Sequence, residues 1–178
     1  MTGAEIDEVL RSMTIVHDTR EQDTARARRR YELIGLPVET GVLDYGDYTY
    51  NATLPTGARL YDLDRRIIPK CAIERKMHLD ELASCLTRSR KRFEAEMERC
   101  SANNARMIWM IEDATWENLV LGRYRTKFPP NAYLASIAAW AARYDVQVIM
   151  CKEDTSPTIM REFLQKDLRE RLLNGEFG

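Results

Sequence analysis

The chain has too few histidines and too widely spaced cysteines to suggest a zinc site. Its two histidines are His17 and His78, and its four cysteines, Cys71, Cys85, Cys100 and Cys151, form no C-x-x-C pair. The thiols are expected instead to be small core hydrophobes in a reducing compartment. Glycine and proline, eight and six in 178 residues, are scattered, so no low-complexity tract is present. The longest run of small apolar residues, around 132–142, contains Ser136 and is far shorter than a bilayer span. The opening MTGAEIDEVL is acidic where a secretory leader would be basic and then apolar. No membrane partner is expected. The expected location is the cytoplasm or nucleoid, or the nucleus in a eukaryotic host.

With 44% apolar residues there is enough core-forming material to exclude a disordered tail. A chain of this length can bury roughly 70% of its unfolded surface without staples. One domain over residues 1–178 is the expectation. The charges nearly cancel, 27 basic against 28 acidic, but they are not evenly spread. Arg20, Arg26, Arg28, Arg29 and Arg30 form one cluster, Arg88, Arg90, Lys91 and Arg92 a second, and Arg123, Arg125 and Lys127 a third. Each alone reads as a solvated face; together they fit an anionic backbone ligand.

Apolar spacing predicts a short helix through Ile6, Val9, Leu10 and Met13, then a strand over 14–17 running into Asp18-Thr19-Arg20-Glu21. A helix from about Asp23 stops at Gly35-Leu36-Pro37. Strands at 38–43 and 48–53 flank the turn Asp44-Tyr45-Gly46-Asp47, which reads as a hairpin, with a short extra strand expected near 59–61. Residues 71–76 form the next strand. Leu79, Leu82, Leu86, Phe93, Met97 and Cys100 then predict one long helix from near Asp80 to Asn103-Asn104. Strands at 107–111 and 146–150 enclose an Ala-rich helix at 131–144, and Ser156-Pro157 opens a last helix over 156–173. This order predicts an α/β domain, a central mixed β-sheet flanked by helices on both faces.

Glu74 and Lys76 lie two apart at the end of a predicted strand, so their side chains leave one face while those of Ile73 and Arg75 leave the other. An isolated E-x-K is commonly a surface ion pair. Here further acids sit at element ends: Asp18, Asp47 in the turn, and Asp80 four residues after Lys76. Several carboxylates with one lysine match the composition of a magnesium-dependent phosphodiesterase. Mg²⁺ favours hard oxygen ligands, takes one or two protein carboxylates plus phosphate oxygens, and activates water. Asp47 and Glu74 are candidate ligands, and Lys76 would orient the water or stabilise the developing charge.

These blocks carry a resemblance. Ile15-Val16-His17-Asp18-Thr19-Arg20-Glu21, then Gly46-Asp47-Tyr48, then Ile73-Glu74-Arg75-Lys76 with Asp80 after three intervening residues, resemble the nuclease domain of XPF-type structure-specific endonucleases, marked by G-D and E-R-K-x-x-x-D. The likeness covers roughly residues 14–150. That family is a branch of the PD-(D/E)XK superfamily, which implies a restriction-endonuclease-like core. The resemblance implies an Mg²⁺- or Mn²⁺-dependent DNA endonuclease acting on flap, fork or junction DNA. It implies metal ligation by Asp47 and Glu74 with Asp18 nearby, and a catalytic Lys76. Arg20, Glu21, Arg75 and Asp80 join the same functional set, with a structural role open for Arg75 and a helix N-terminal role open for Glu21 and Asp80. Arg88, Arg90, Lys91 and Arg92 are candidate DNA contacts. A homodimer or a heteromeric partner is also implied.

The sequence departs from the family in two respects. The 26 residues between Asp47 and Glu74 form a long insert that either lies over the site or extends the hairpin, and no clear tandem helix-hairpin-helix module is present. A catalytically silent DNA-binding or scaffolding subunit is the alternative, although the motif acids and Lys76 are kept; a nuclease cutting linear duplex or RNA is a third reading. Trp109 and Trp140 read as core, whereas Trp116 is open to base stacking. His78 reads as either exposed or phosphate-contacting, and His17 as not a ligand.

Overall fold

The computed structural model describes residues 1–177. In chain order the elements are α1 (Gly3–Arg11), β1 (Thr14–Asp18), α2 (Ala25–Ile34), β2 (Val38–Leu43), β3 (Tyr48–Asn51), β4 (Arg66–Ile67), β5 (Cys71–Lys76), α3 (Leu79–Leu86), α4 (Arg90–Ala102), β6 (Arg106–Glu112), α5 (Trp116–Val120), α6 (Pro130–Tyr144), β7 (Gln147–Cys151) and α7 (Ser156–Leu173). The strands form a seven-stranded sheet in the order β4-β2-β1-β3-β5-β6-β7. β3 runs antiparallel to both β1 and β5, while the other neighbours pair in parallel. The mixed sheet predicted from the element order is therefore present, with helices on both faces.

The faces follow from strand alternation. Met107, Trp109 and Ile111 of β6 pack with Leu82 and Leu86 of α3, Phe93 and Met97 of α4, and Tyr133, Ile137 and Trp140 of α6. Ile108 and Met110 point the other way, into a layer made by Ile6 and Val9 of α1, Ile34 of α2, and Met160, Leu164, Leu168 and Leu172 of α7. At the centre of the first layer Trp109 stacks on Phe93 with ring centroids 5.1 Å apart, and Phe93 stacks on Trp140 at 5.3 Å. Among the described residues no helix is long and apolar enough to cross a membrane.

Three local expectations are corrected by the structure, and one element is added. β2 and β3 do not form a hairpin, because β1 inserts between them, parallel to β2 and antiparallel to β3. The turn's backbone groups bond outward to the neighbours, Asp44 N–H to Ile67 C=O at 2.9 Å and Asp47 N–H to Ile73 C=O at 2.8 Å. Second, the extra strand lies at Arg66–Ile67, pairing with β2, and residues 59–61 contribute only a Thr53–Arg59 bridge. The long insert thus supplies an edge strand to the sheet. Third, the long helix is two: Thr87 leaves helical geometry (φ −120°, ψ −84°) with its hydroxyl donating to Ala83 C=O at 2.7 Å. Such hydroxyl bonds compete with the helical ladder. The added element is α5, whose five residues are too few to show a period in the sequence.

Replacing Trp109 by Ala should remove the centre of the ring stack and destabilise the protein by about 3–5 kcal/mol, read as a fall in Tm. A loss below about 1 kcal/mol would mean that this layer does not rest on Trp109.

Candidate active site

The C-terminal ends of β1, β5 and β6 and the start of β3 share one end of the sheet, which follows from their pairing directions. Asp47 ties these ends together. Its C=O accepts from Asp18 N–H, its N–H donates to Ile73 C=O, and its Oδ2 accepts from Arg75 N–H, each at 2.8 Å. This leaves Oδ1 without a protein donor among the described residues. Gly46 makes the close approach possible. Its φ is +75°, and a Cβ there would lie 2.7 Å from the Cβ of Ala72 on β5.

Glu74 and Lys76 are buried, 5% and 7% exposed, on the β5 face that looks toward α3 and α4. The Lys76 ammonium donates to Glu74 Oε1 and sits 5.5 Å above the Phe93 ring. Burial pushes Asp47 up to about 7, reinforced by the Glu74 charge and opposed by Lys76. Burial also raises Glu74, with Lys76 pulling down and Glu96 adding to the rise. Burial by itself would lower Lys76, but the Glu74 and Asp47 carboxylates outweigh it and hold the ammonium charged.

A half-buried and a buried carboxylate, both raised by desolvation and neighbouring negative charge, with a free oxygen on Asp47, have the hard-oxygen donor chemistry of a divalent-cation site. Among the described residues no three His, Cys, Asp or Glu side chains are grouped to hold a metal by themselves. Asp18 illustrates why. Its Oδ1 accepts from Arg20 Nε and Arg20 N–H, and its Oδ2 accepts from Leu43 N–H at 2.8 Å. Arg20 feels the charges of Glu96 and Asp47 as well, so its guanidinium borders the same acidic group.

The Arg75 side chain leaves the opposite face of β5. It pairs with Glu112 Oε2 at 3.0 Å and Glu21 Oε1 at 3.1 Å, while Arg30 approaches the same acids at 3.5 and 3.4 Å. Arg30 also donates to Tyr48 Oη at 3.2 Å, and Ser156 Oγ donates to Glu112 Oε1 at 2.5 Å. Burial would lower Arg75, but Glu21 and Glu112 hold it above the ordinary arginine value. Sequence reasoning missed Glu96, Glu112 and this use of Arg30. Glu96 accepts from Gly46 N–H at 2.8 Å from the middle of α4, a position with no motif or spacing to flag it.

Other candidates lie elsewhere. Asp80 Oδ1 accepts from Arg125 N–H at 2.8 Å and Thr126 N–H at 2.6 Å. His78 caps α3, its Nδ1 accepting from Glu81 N–H at 3.2 Å. The His17 ring meets Thr40 Oγ1 and stacks on Tyr31. Arg88, Lys91 and Arg92 are exposed, and Arg90 lies over Trp140 with Glu94 beside it. Trp116 is 42% exposed on α5, while Trp109 and Trp140 are core.

A family model described as the ERCC4 domain matches residues 17–158. Among solved structures the chain is similar to XPF from Aeropyrum pernix, with TM-score 0.59 and 17% identity, covering 86% of this chain and 61% of that one. A structure of Aeropyrum pernix XPF in complex with DNA matches with TM-score 0.58 and 18% identity, covering 86% and 63%. The chain thus spans less than two thirds of those structures, and at these identities the likeness is one of fold. No curated protein matches it in sequence.

Two substitutions check this geometry. Gly46→Ala should cost about 1–3 kcal/mol from strained backbone, besides the clash with Ala72, and lower Tm. For Asp47 the folded pKa lies above the unfolded one, so stability is greatest below about 4 and falls as pH rises through about 7. Asp47→Asn should therefore raise the Tm of metal-free protein at pH 8, with the gain vanishing near pH 4. A lower Tm at pH 8 would contradict the raised pKa.

Proposed function

This chain belongs to the ERCC4-domain family of XPF-type nucleases, and on that footing we propose that it is a divalent-metal-dependent endodeoxyribonuclease cutting flap, fork or junction DNA. The observation that carries the proposal is the convergence of half-buried Asp47 and buried Glu74 beside a charged Lys76 at one end of the sheet. A DNA substrate is supported by the relative in complex with DNA.

In this reading Asp47 and Glu74 hold Mg²⁺ or Mn²⁺. The bound ion supplies Lewis-acid polarisation of the phosphate and activation of water. Arg75 N–H fixes the orientation of Asp47, and Gly46 lets the turn come close enough to β5 for that bond. Lys76 stays protonated, so it acts as a cation and hydrogen-bond donor to the charge developing on phosphate oxygens, and not as a base. Glu74 orients that ammonium. Asp18 holds Arg20 next to the acidic group, where its guanidinium offsets the repulsion between carboxylates and an approaching phosphate.

Incubation with labelled flap, fork and linear duplexes, with and without Mg²⁺ or Mn²⁺, tests the proposal. Cutting of branched substrates should need the metal and stop with chelator, and Lys76→Ala should slow it about 100- to 1000-fold. Metal-independent cutting, or an equally active Lys76→Ala variant, would overturn it. Binding without cutting would mark the chain as a silent DNA-binding subunit.

A further inference from the structure

The first and third basic clusters of the sequence have different fates. In the first, four of the five, Arg20, Arg26, Arg28 and Arg30, pair with carboxylates, for example Arg26 with Glu153 at 2.6 Å and Arg28 with Asp23 at 2.8 Å. In the third, Arg123, Arg125 and Lys127 are all exposed, and among the described residues none has a carboxylate within ion-pair distance. They belong to the irregular segment between α5 and α6.

That segment is irregular but held. Along it exposure alternates: Arg123, Arg125 and Lys127 face outward, while Tyr124, Thr126 and Phe128 are partly buried. Phe128 stacks on Tyr133 of α6 with centroids 4.9 Å apart, and Tyr124 meets the same ring edge-on at 5.5 Å. Tyr124 Oη donates to Phe128 C=O at 2.7 Å, and Tyr133 Oη to Leu79 C=O at 2.6 Å, which ties the segment's platform to the start of α3. Asp80, in the first turn of α3, accepts the N–H groups of Arg125 and Thr126. A groove of about 440 Å³ runs alongside, lined by His78, Asp80, Asp113, Asn118, Arg123 and Arg125. Both of its carboxylates are engaged, Asp80 as above and Asp113 Oδ1 by Glu153 N–H at 3.2 Å.

We propose that Arg123, Arg125 and Lys127 form a DNA-backbone contact strip anchored to the start of α3, the helix that follows β5, and that Asp80 is its positioning residue. The strip deepens the nuclease reading and takes its ligand from it. Three uncompensated cations set outward by aromatic anchors suit a repeating anion that is recognised by charge, the sugar-phosphate backbone. Asp80 lies only four residues beyond Lys76, so the clamp registers the strip to the end of β5. The last aspartate of E-R-K-x-x-x-D then serves the site through the loop it holds. Its carboxylate oxygen acts as an acceptor for two amides.

Binding of flap DNA, followed by fluorescence anisotropy over a series of salt concentrations with the full chain carrying Asp47→Asn and no added metal, tests this. The triple variant Arg123→Ala/Arg125→Ala/Lys127→Ala should bind at least tenfold more weakly, its salt dependence shallower by about one unit of slope per cation removed. Asp80→Ala should weaken binding in the same sense. Asp80→Asn, whose amide oxygen still accepts both N–H groups, should restore it. An unchanged slope in the triple variant would overturn the strip, and Asp80→Asn binding as weakly as Asp80→Ala would overturn the positioning role. The three cations are exposed, so the triple variant decides even where Asp80→Ala fails to fold. A wild-type chain that binds DNA with the expected slope but never cuts it when Mg²⁺ or Mn²⁺ is added would sink the nuclease reading and leave the strip standing.

Discussion

Successive side chains of a strand leave opposite faces, and at the end of β5 that rule divides three charged residues between two environments. Glu74 and Lys76 face the layer of α3, α4 and α6, beside Asp47. Arg75 faces the layer of α2 and α7, among Glu21, Glu112 and Arg30. The strand's backbone joins the two, because the Arg75 N–H that continues the strand also grips the Asp47 carboxylate. Any ion held by Asp47 and Glu74 is therefore set by a strand whose other face is fixed by buried ion pairs.

Two guanidinium and two carboxylate groups balance in charge on that second face, although Arg30 Nε and Arg75 Nε lack hydrogen-bond partners among the described residues. Burying such a network carries a desolvation penalty, and removing one member from it costs roughly 3–5 kcal/mol because a charge is left uncompensated. The arrangement is better understood as specifying position than as adding stability. Its members come from β5, β6, α2, the loop after β1 and the start of α7, so it locks those elements around the end of the sheet. The candidate site is the reverse case: its carboxylates outnumber its ammonium, and a divalent cation would complete it.

Charge outside the sheet end is divided in the same way. Four of the five arginines of the first basic cluster pair with carboxylates, whereas the cations of the segment between α5 and α6 have no such partner among the described residues, on a backbone anchored by aromatic rings. A near-neutral chain can in this way present a locally cationic surface to a polyanion.

Strand and helix periods are properties of consecutive residues, and they were legible. The strand around Glu74, the shared face of Glu74 and Lys76, the opposed Arg75, the Gly46-Asp47 turn and the Ser156–Leu173 helix all follow from spacing within a few positions. Hidden from such reasoning were the insertion of β1 between β2 and β3, the edge placement of β4, and the entry of Glu96 and Glu112 into the charged groups. No local signal separates Arg30, which is buried against two carboxylates, from Arg29, one position before it, which is exposed. These were decided by which surfaces met in the folded chain, because the stability of a buried charge depends on partners from distant elements and not on its neighbours in sequence.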